Sequence, residues 1–315
     1  MVIENILIFL AASIVLVKSA SYAVKSIAKI AEYIRFSQFF AAFVIAGFVS
    51  ILPELFIGIN AALIGVPAVG VGIIIGANVA DMTLLVGIIA LVGRKIHVGN
   101  KTISNNAYFV IITALPIILM VDGNLTRDDG LILILAFLFY LSTILKKEKI
   151  FSGKAKKNKK AIGKHTIIFL ISMLLLFISA HYMLESGMNL AKEFALPVIL
   201  VGLLVIALGT TLPEFTFSLR AVLAKHKEIA LGDLLGNVAI DSTFTIGVVA
   251  LISPVVNNFS PIIVSSLFMI LGALVVTTLM QAGKGITWQE SFLLFFIYAM
   301  FIMIEIMLKG GIVAT

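Results

Sequence analysis

The chain of 315 residues has no cysteine, a single tryptophan, four histidines and only 12% charged residues. Without cysteine, disulfides, thiolate metal sites and thiol redox chemistry are excluded. The shortage of charge excludes an ordinary soluble domain, in which about a quarter of residues are charged. No glycine-rich nucleotide loop or nucleophile–histidine–acid arrangement is present, so the sequence does not read as an enzyme and calls for no cofactor.

What is plentiful is apolar: 61% of residues are hydrophobic, and the mean hydropathy is +1.17. A spanning helix needs roughly 20 mostly apolar residues. Candidate spans lie near residues 5–24, 38–63, 68–92, 106–121, 129–145, 166–182, 195–222, 229–252, 261–280 and 289–308. The expected fold is an all-α polytopic membrane protein with ten transmembrane helices. The first run lacks a basic n-region and a small-residue cleavage site, so it reads as a retained helix.

The net charge of +7 is concentrated, with nine lysines between Lys146 and Lys164. This pattern reads as a solvated loop, not a nucleic-acid surface, and leaves the lipid bilayer and inorganic cations as the expected partners. The positive-inside rule makes that loop cytoplasmic. Lys18, Lys25, Lys29, Arg35, Arg94, Lys101, Arg220, Lys227 and Lys284 then fall on the same side. Both termini are placed outside, and the expected location is the cell (inner) membrane.

At an offset of 160 residues, Ile51-Leu-Pro-Glu54-Leu aligns with Thr211-Leu-Pro-Glu214-Phe. Gly72, Gly76, Asp81, Thr83 and Gly87 align with Gly232, Gly236, Asp241, Thr243 and Gly247. Five spans per copy is an odd number, so the copies cross in opposite directions: residues 1–145 form one repeat, 146–165 a basic linker and 166–315 the inverted second repeat. Inverted repeats are the architecture of secondary transporters, with the substrate site where broken helices meet near the midplane.

Pro53 and Pro213 each remove a backbone donor and predict a break about halfway along their spans. Ser50 and Glu54, like Thr210 and Glu214, are four residues apart and share a helix face. Asp81, Asp241 and the amides Asn78 and Asn237 supply further oxygen, and Thr211 adjoins Thr210. An all-oxygen set suits a hard cation, Ca2+ better than Mg2+, and the absence of His and Cys argues against zinc or copper. Each ionised acid costs roughly 2.5–3.5 kcal/mol at a helix centre, and no Lys or Arg in these spans pairs with the four, so a mobile cation is the natural counter-charge. The paired glycines, Gly72 with Gly76 and Gly232 with Gly236, are expected at close helix contacts. His97, His165 and His226 are expected in cytoplasmic loops, His181 near the outer face, Glu305 solvated near an interface and Trp288 at an interface.

These residues resemble the Ca2+:cation antiporter superfamily, in particular its prokaryotic sodium/calcium exchangers, whose two repeats carry G-T-S-L-P-E and G-N-x-x-G-S segments. The second repeat here reads Gly209-Thr-Thr-Leu-Pro-Glu214 and the first Val49-Ser-Ile-Leu-Pro-Glu54. The resemblance implies exchange of Ca2+ for Na+ at a site made chiefly by Glu54 and Glu214, helped by Ser50, Thr210, Asp81 and Asp241. It also implies that the first and sixth helices move against the other eight to alternate access. Ile51, Ile73, Ala77, Asp233 and Asn237 depart from the family pattern, some at positions associated with sodium. Four carboxylates around one divalent ion leave two excess charges that a proton can neutralise, so H+ coupling is the alternative. A channel with an acidic filter is the rival from another class.

Overall fold

The computed structural model describes residues 2–34, 47–97, 106–145, 159–256 and 260–310. Arg35, Lys101 and most of the expected linker lie outside the described residues. In chain order the helices are α1 (Val2–Ile34), α2 (Gly47–Ser50), α3 (Leu52–Leu63), α4 (Pro67–Ala80), α5 (Val86–Gly93), α6 (Asn106–Leu119), α7 (Arg127–Leu145) and α8 (Lys159–Glu193). They continue as α9 (Val198–Val201), α10 (Ala207–Thr210), α11 (Leu212–Leu223), α12 (Lys227–Ile240), α13 (Ile246–Ile252), α14 (Ile263–Gly283) and α15 (Glu290–Gly310). Two short strands, β1 (Lys95–His97) and β2 (Gly285–Thr287), and short π- and 3-10-helical segments make up the rest of the described elements.

Among the described residues six helices are long and apolar enough to cross a membrane: Val2–Ala31, Pro67–Gly93, Ile162–Glu193, Lys227–Ile252, Ile263–Gly283 and Glu290–Lys309. The pair Val198–Thr210 and Leu212–Leu223, bent by 41°, makes a seventh if it counts as one span. Shorter apolar helices stand at Leu52–Leu63 and Tyr108–Asp122. The protein is a multi-pass, mostly helical membrane protein. One boundary differs from the expected linker, since α8 is already helical at Lys159.

Burial sorts the long helices into a centre and a periphery. Within Pro67–Gly93 and Lys227–Ile252, 89% and 72% of the spanning window is buried, against 22% for Val2–Ala31 and 33% for Ile162–Glu193. Helices α1 and α8 pack on each other along their length. They run antiparallel: Asn5 Nδ2 donates to Glu193 Oε1 at 3.2 Å at one end, and Tyr33 meets His165 at 6.4 Å at the other. Ser19 and Ser26 on α1 and Ser172, Ser179 and Ser186 on α8 are buried at seven-residue spacing. A small-residue seam of that period lets two helix backbones approach closely.

The centre is built from the pieces that repeat. Helices α3 and α11 both start beside a residue with the same backbone angles, Ile51 (φ −78°, ψ 0°) and Thr211 (φ −76°, ψ −1°), with proline in the first turn. Helix α4 passes through a π-helical turn, Asp81–Leu85, into α5, and α12 passes through Asp241–Thr245 into α13. Short backbone pairings tie the ends: β1 pairs antiparallel with β2, Ile96 facing Ile286, and Leu125 pairs with Val255.

Candidate functional site

The break before each Leu-Pro-Glu segment follows from covalent chemistry. Pro53 and Pro213 have no N–H to offer the carbonyls of Val49 and Gly209, and their rings crowd the preceding turn. The chain resumes as a helix one residue later, which puts Glu54 and Glu214 in the first turn of α3 and α11. Helix N-termini favour negative side chains. Both glutamates are 2% exposed.

Asp81 and Asp241 each open a π turn, in which the amide of Val86 reaches Asp81 O and that of Ile246 reaches Asp241 O. Such turns are rare and recur at functional sites because they re-aim side chains within a continuous helix. Thr83 and Thr243 donate back to Val79 O at 2.5 Å and Ala239 O at 2.7 Å. Asp81 is 3% and Asp241 2% exposed.

These acids are electrostatic neighbours. The charges of Asp241 and Asp81 act on Glu54, those of Glu54, Asp81 and Asp233 on Glu214, and those of Asp241 and Asp233 on Asp81. They do not close into a tight cage: among the described residues no three His, Asp or Glu side chains stand close enough to hold a metal by themselves. Coordination here would need the neutral oxygens as well.

Those oxygens are nearby. Ser50 Oγ donates to Asn237 Oδ1 at 2.9 Å, joining the two halves. Asn78 Nδ2 lies 3.3 Å from Ser242 Oγ and 3.4 Å from Met269 Sδ, a second link between halves. The Thr210 hydroxyl lies against Glu54 while donating to Ala207 O at 2.8 Å. Thr211 turns away and donates to Leu208 O at 3.1 Å. Thr245 Oγ1 gives Asp241 Oδ1 a donor at 2.8 Å.

Other acceptors are left over. Glu54 Oε2, both carboxylate oxygens of Glu214, Asp81 Oδ1, Asn78 Oδ1 and Asp233 Oδ2 are buried without a hydrogen-bond partner. A buried acceptor without a donor costs about 1–3 kcal/mol, more for a charged group. Among the described residues no Lys or Arg forms an ion pair with any of them. Oxygens of this kind are the donors that a hard cation accepts.

Asp233 is the residue that sequence symmetry missed. It stands out only as a departure from the family pattern, because its partner at the 160-residue offset is the apolar Ile73. With Glu214, Ser50, Pro213, Lys25 and Arg220 it lines a cavity of about 270 Å3.

Several outlying expectations are corrected. Glu305 is not solvated: it is fully buried, accepts from Ser265 Oγ at 2.6 Å and is ion-paired with Lys309 one turn on. A short polar residue on the neighbouring α14 supplies what an interface would have. His165 lies inside α8, not in a loop, and His97 is in β1. At Gly76 an added Cβ would run into Leu203 O, so close packing holds there. For Gly232 and Gly236 no described atom lies within 4 Å of that position. The counterparts of Ile199 and Leu203 there, residues 39 and 43, fall outside the described residues.

Known proteins place this arrangement. CaxA of Alkalimonas amylolytica is 25% identical over 76% of this chain and 78% of its own. The sodium/calcium exchanger MaX1 of Methanosarcina acetivorans is 21% identical over 96% and 99%. The fold matches solved structures of the sodium-calcium exchanger NCX_Mj, one with TM-score 0.69 at 20% identity, covering 95% of this chain and 98% of that one. The sodium/calcium exchanger protein family matches residues 4–146 and 164–307, and the chain belongs to that family of membrane cation antiporters.

Proposed function

We propose that the protein exchanges Ca2+ for Na+ by alternating access, through one cation site shared by two inverted five-helix repeats. The observation that carries the reading is the set of buried, partnerless oxygens on Glu54, Glu214 and Asp81. Their positions repeat across the halves, and neutral donors from both halves stand beside them. Glu54 and Glu214 are the principal ligands, with Asp81, Asp241, Ser50, Thr210, Thr211, Asn78 and Asn237 as the surrounding oxygen. The site binds cargo, not a resident cofactor.

Ten spans, with residues 1–145 and 166–315 as the two repeats, are supported by the strand pairings. The segment after α5 pairs with the segment before α15, while the segment before α7 pairs with the one after α13. Shifting the pair Ile96 and Ile286 by 160 residues gives positions 256 and 126, one residue from the observed pair Val255 and Leu125. In a five-span unit the third and fourth connections lie on opposite faces. Pairing the third of each copy with the fourth of the other puts them on one face only if the copies run in opposite directions.

Lys227 Nζ donates to Gly93 O at 2.6 Å and lies 3.3 Å from Lys95 O, which gathers basic residues at the β1 and β2 end. With the positive-inside rule, that end is cytoplasmic, and both termini lie outside the inner membrane. H+ in place of Na+ is the second reading, motivated by Ile51 and Ala77, which offer no hydroxyl at positions associated with sodium in the family.

The test is radioactive Ca2+ uptake into proteoliposomes loaded with Na+ and diluted into Na+-free buffer, beside a matched pH gradient. Saturable uptake that requires trans Na+ is expected. Uptake that follows only the pH gradient would select the second reading, and unsaturable flux without a trans ion would mean a channel.

A further inference from the structure

The two halves differ where α12 and α4 line the approach to the acids. On α12 and at the start of the π turn that continues it, Asp233, Asn237 and Asp241 are spaced by four residues and so share a face, about 6 Å apart along the axis. The corresponding positions on α4 and its π turn are Ile73, Ala77 and Asp81, with Ile73 0% and Ala77 1% exposed. One half therefore has an oxygen on every turn of this ladder, and the other has apolar packing until the last rung.

The lower rung opens on the cavity. Glu214 lines it with both carboxylate oxygens unpartnered while only 2% exposed. Asp233 lines it too, with Oδ2 unpartnered. Ser50, whose hydroxyl holds the middle rung Asn237, is a third wall. The volume, about 270 Å3, is ample for a hydrated cation, a water taking about 30 Å3 of liquid. At the same cavity stand Lys25 and Arg220, positive groups that would repel a cation. The Lys25 ammonium is 5.8 Å from the Tyr22 ring.

Resting on the exchange proposed above, we infer that Asp233, at the cavity that reaches Glu214 of the central site, forms a vestibule site for a divalent cation on the Lys25 and Arg220 side. The cation is held there by charge with part of its hydration, then moves past Asn237 to Glu54 and Asp241 as Ser50 releases the amide. Removing a negative charge from a cleft that also carries cations lowers the local concentration and association rate of a cation, by about tenfold at the low end of such steering effects. Asp233 supplies that charge against the two cations at the cavity. The other face has no such site, because Ile73 occupies its place.

The experiment measures Ca2+ uptake kinetics of wild type, Asp233→Asn and Asp233→Glu in inside-out and right-side-out membrane vesicles. The side is identified by labelling Lys95→Cys with an impermeant maleimide, unambiguous in a chain without cysteine. Lys95 sits beside Lys227 on the Arg220 side. For Asp233→Asn the apparent KM for Ca2+ is expected to rise about tenfold from the Lys95 side with the maximal rate unchanged. One cycle links both directions, so from the opposite side the loss is expected in the maximal rate, with KM held. Asp233→Glu should restore both. A KM shift from both sides would make Asp233 a ligand of the central site and overturn the vestibule site. A fall in maximal rate from both sides with KM held would make it structural, and unchanged kinetics would leave it no role. If Asp233→Asn does not reach the membrane, Asp233→Ser carries the same test. Wild-type vesicles without gradient-driven uptake would remove the proposed exchange and the vestibule site together. Normal wild-type uptake with an unshifted variant would remove the vestibule site alone.

Discussion

Helices α3 and α11 carry the same Leu-Pro-Glu segment and begin at the same backbone break, yet their surroundings differ. On α3, Leu52, Leu55, Ile57, Asn60 and Ala61 are buried as well as Glu54. On α11, only Glu214, Ser218 and Val222 are buried. Helix α8 lies along α3, with Phe177 edge-on to Phe56 at 5.8 Å and its carbonyl 3.4 Å from Asn60 Nδ2. Helix α1, the counterpart of α8, meets α11 more sparsely and leaves the cavity that reaches Glu214. Two nearly equal halves thus hold one glutamate sealed and the other approachable. Under the proposed cycle the α3 face is closed and the α11 face is open, and the opposite state would exchange the two environments.

That comparison can be broken by giving one half the chemistry of the other. Ile73→Asp places an acid where the first half is fully packed, and the expected cost is about 2.5–3.5 kcal/mol. Thermal unfolding in detergent would read it, and added Ca2+ should recover stability only if the α3 face opens. Gly76→Ala pushes a methyl group into the Leu203 backbone, and a loss of about 1–3 kcal/mol is expected. Urea or thermal unfolding showing no change would mean the α4 crossing is looser than its geometry. The mildest is Asn60→Ala, which removes the bonds to Phe56 O at 2.8 Å and Phe177 O at 3.4 Å. About 1 kcal/mol less stabilisation of the closed face should raise maleimide labelling of a cysteine placed at Phe177. Unchanged labelling would show that these two bonds do not hold that face closed.

Much of this was legible in the sequence because apolar spans, a Pro-Glu pair and a 160-residue repeat each have a direct physical signature. The break at Ile51 and Thr211 follows from proline itself, and the burial of Glu54, Glu214, Asp81 and Asp241 follows from their place in apolar runs. The π turns at Asp81 and Asp241 had no signal, since no residue type demands an extra backbone unit. The cross-links Ser50 to Asn237 and Asn78 to Ser242 join residues that do not correspond in the repeat, so aligning the halves hides them. Asp233 was obscured in the same way by Ile73. Glu305 misled because its partners, Ser265 and Lys309, sit one helix away and one turn on, and only packing brings both to one carboxylate.

The central claim is one cation site that needs a glutamate from each half. The most direct measurement is the Ca2+-dependent shift in melting temperature of the purified protein, compared with Glu54→Gln and Glu214→Gln. A ligand bound only to the folded state stabilises it by about 2.7 kcal/mol at a hundred times its Kd. The account predicts a saturable upward shift in wild type and its loss in both variants, with Mg2+ giving much less. A full Ca2+ shift retained in either variant would contradict it.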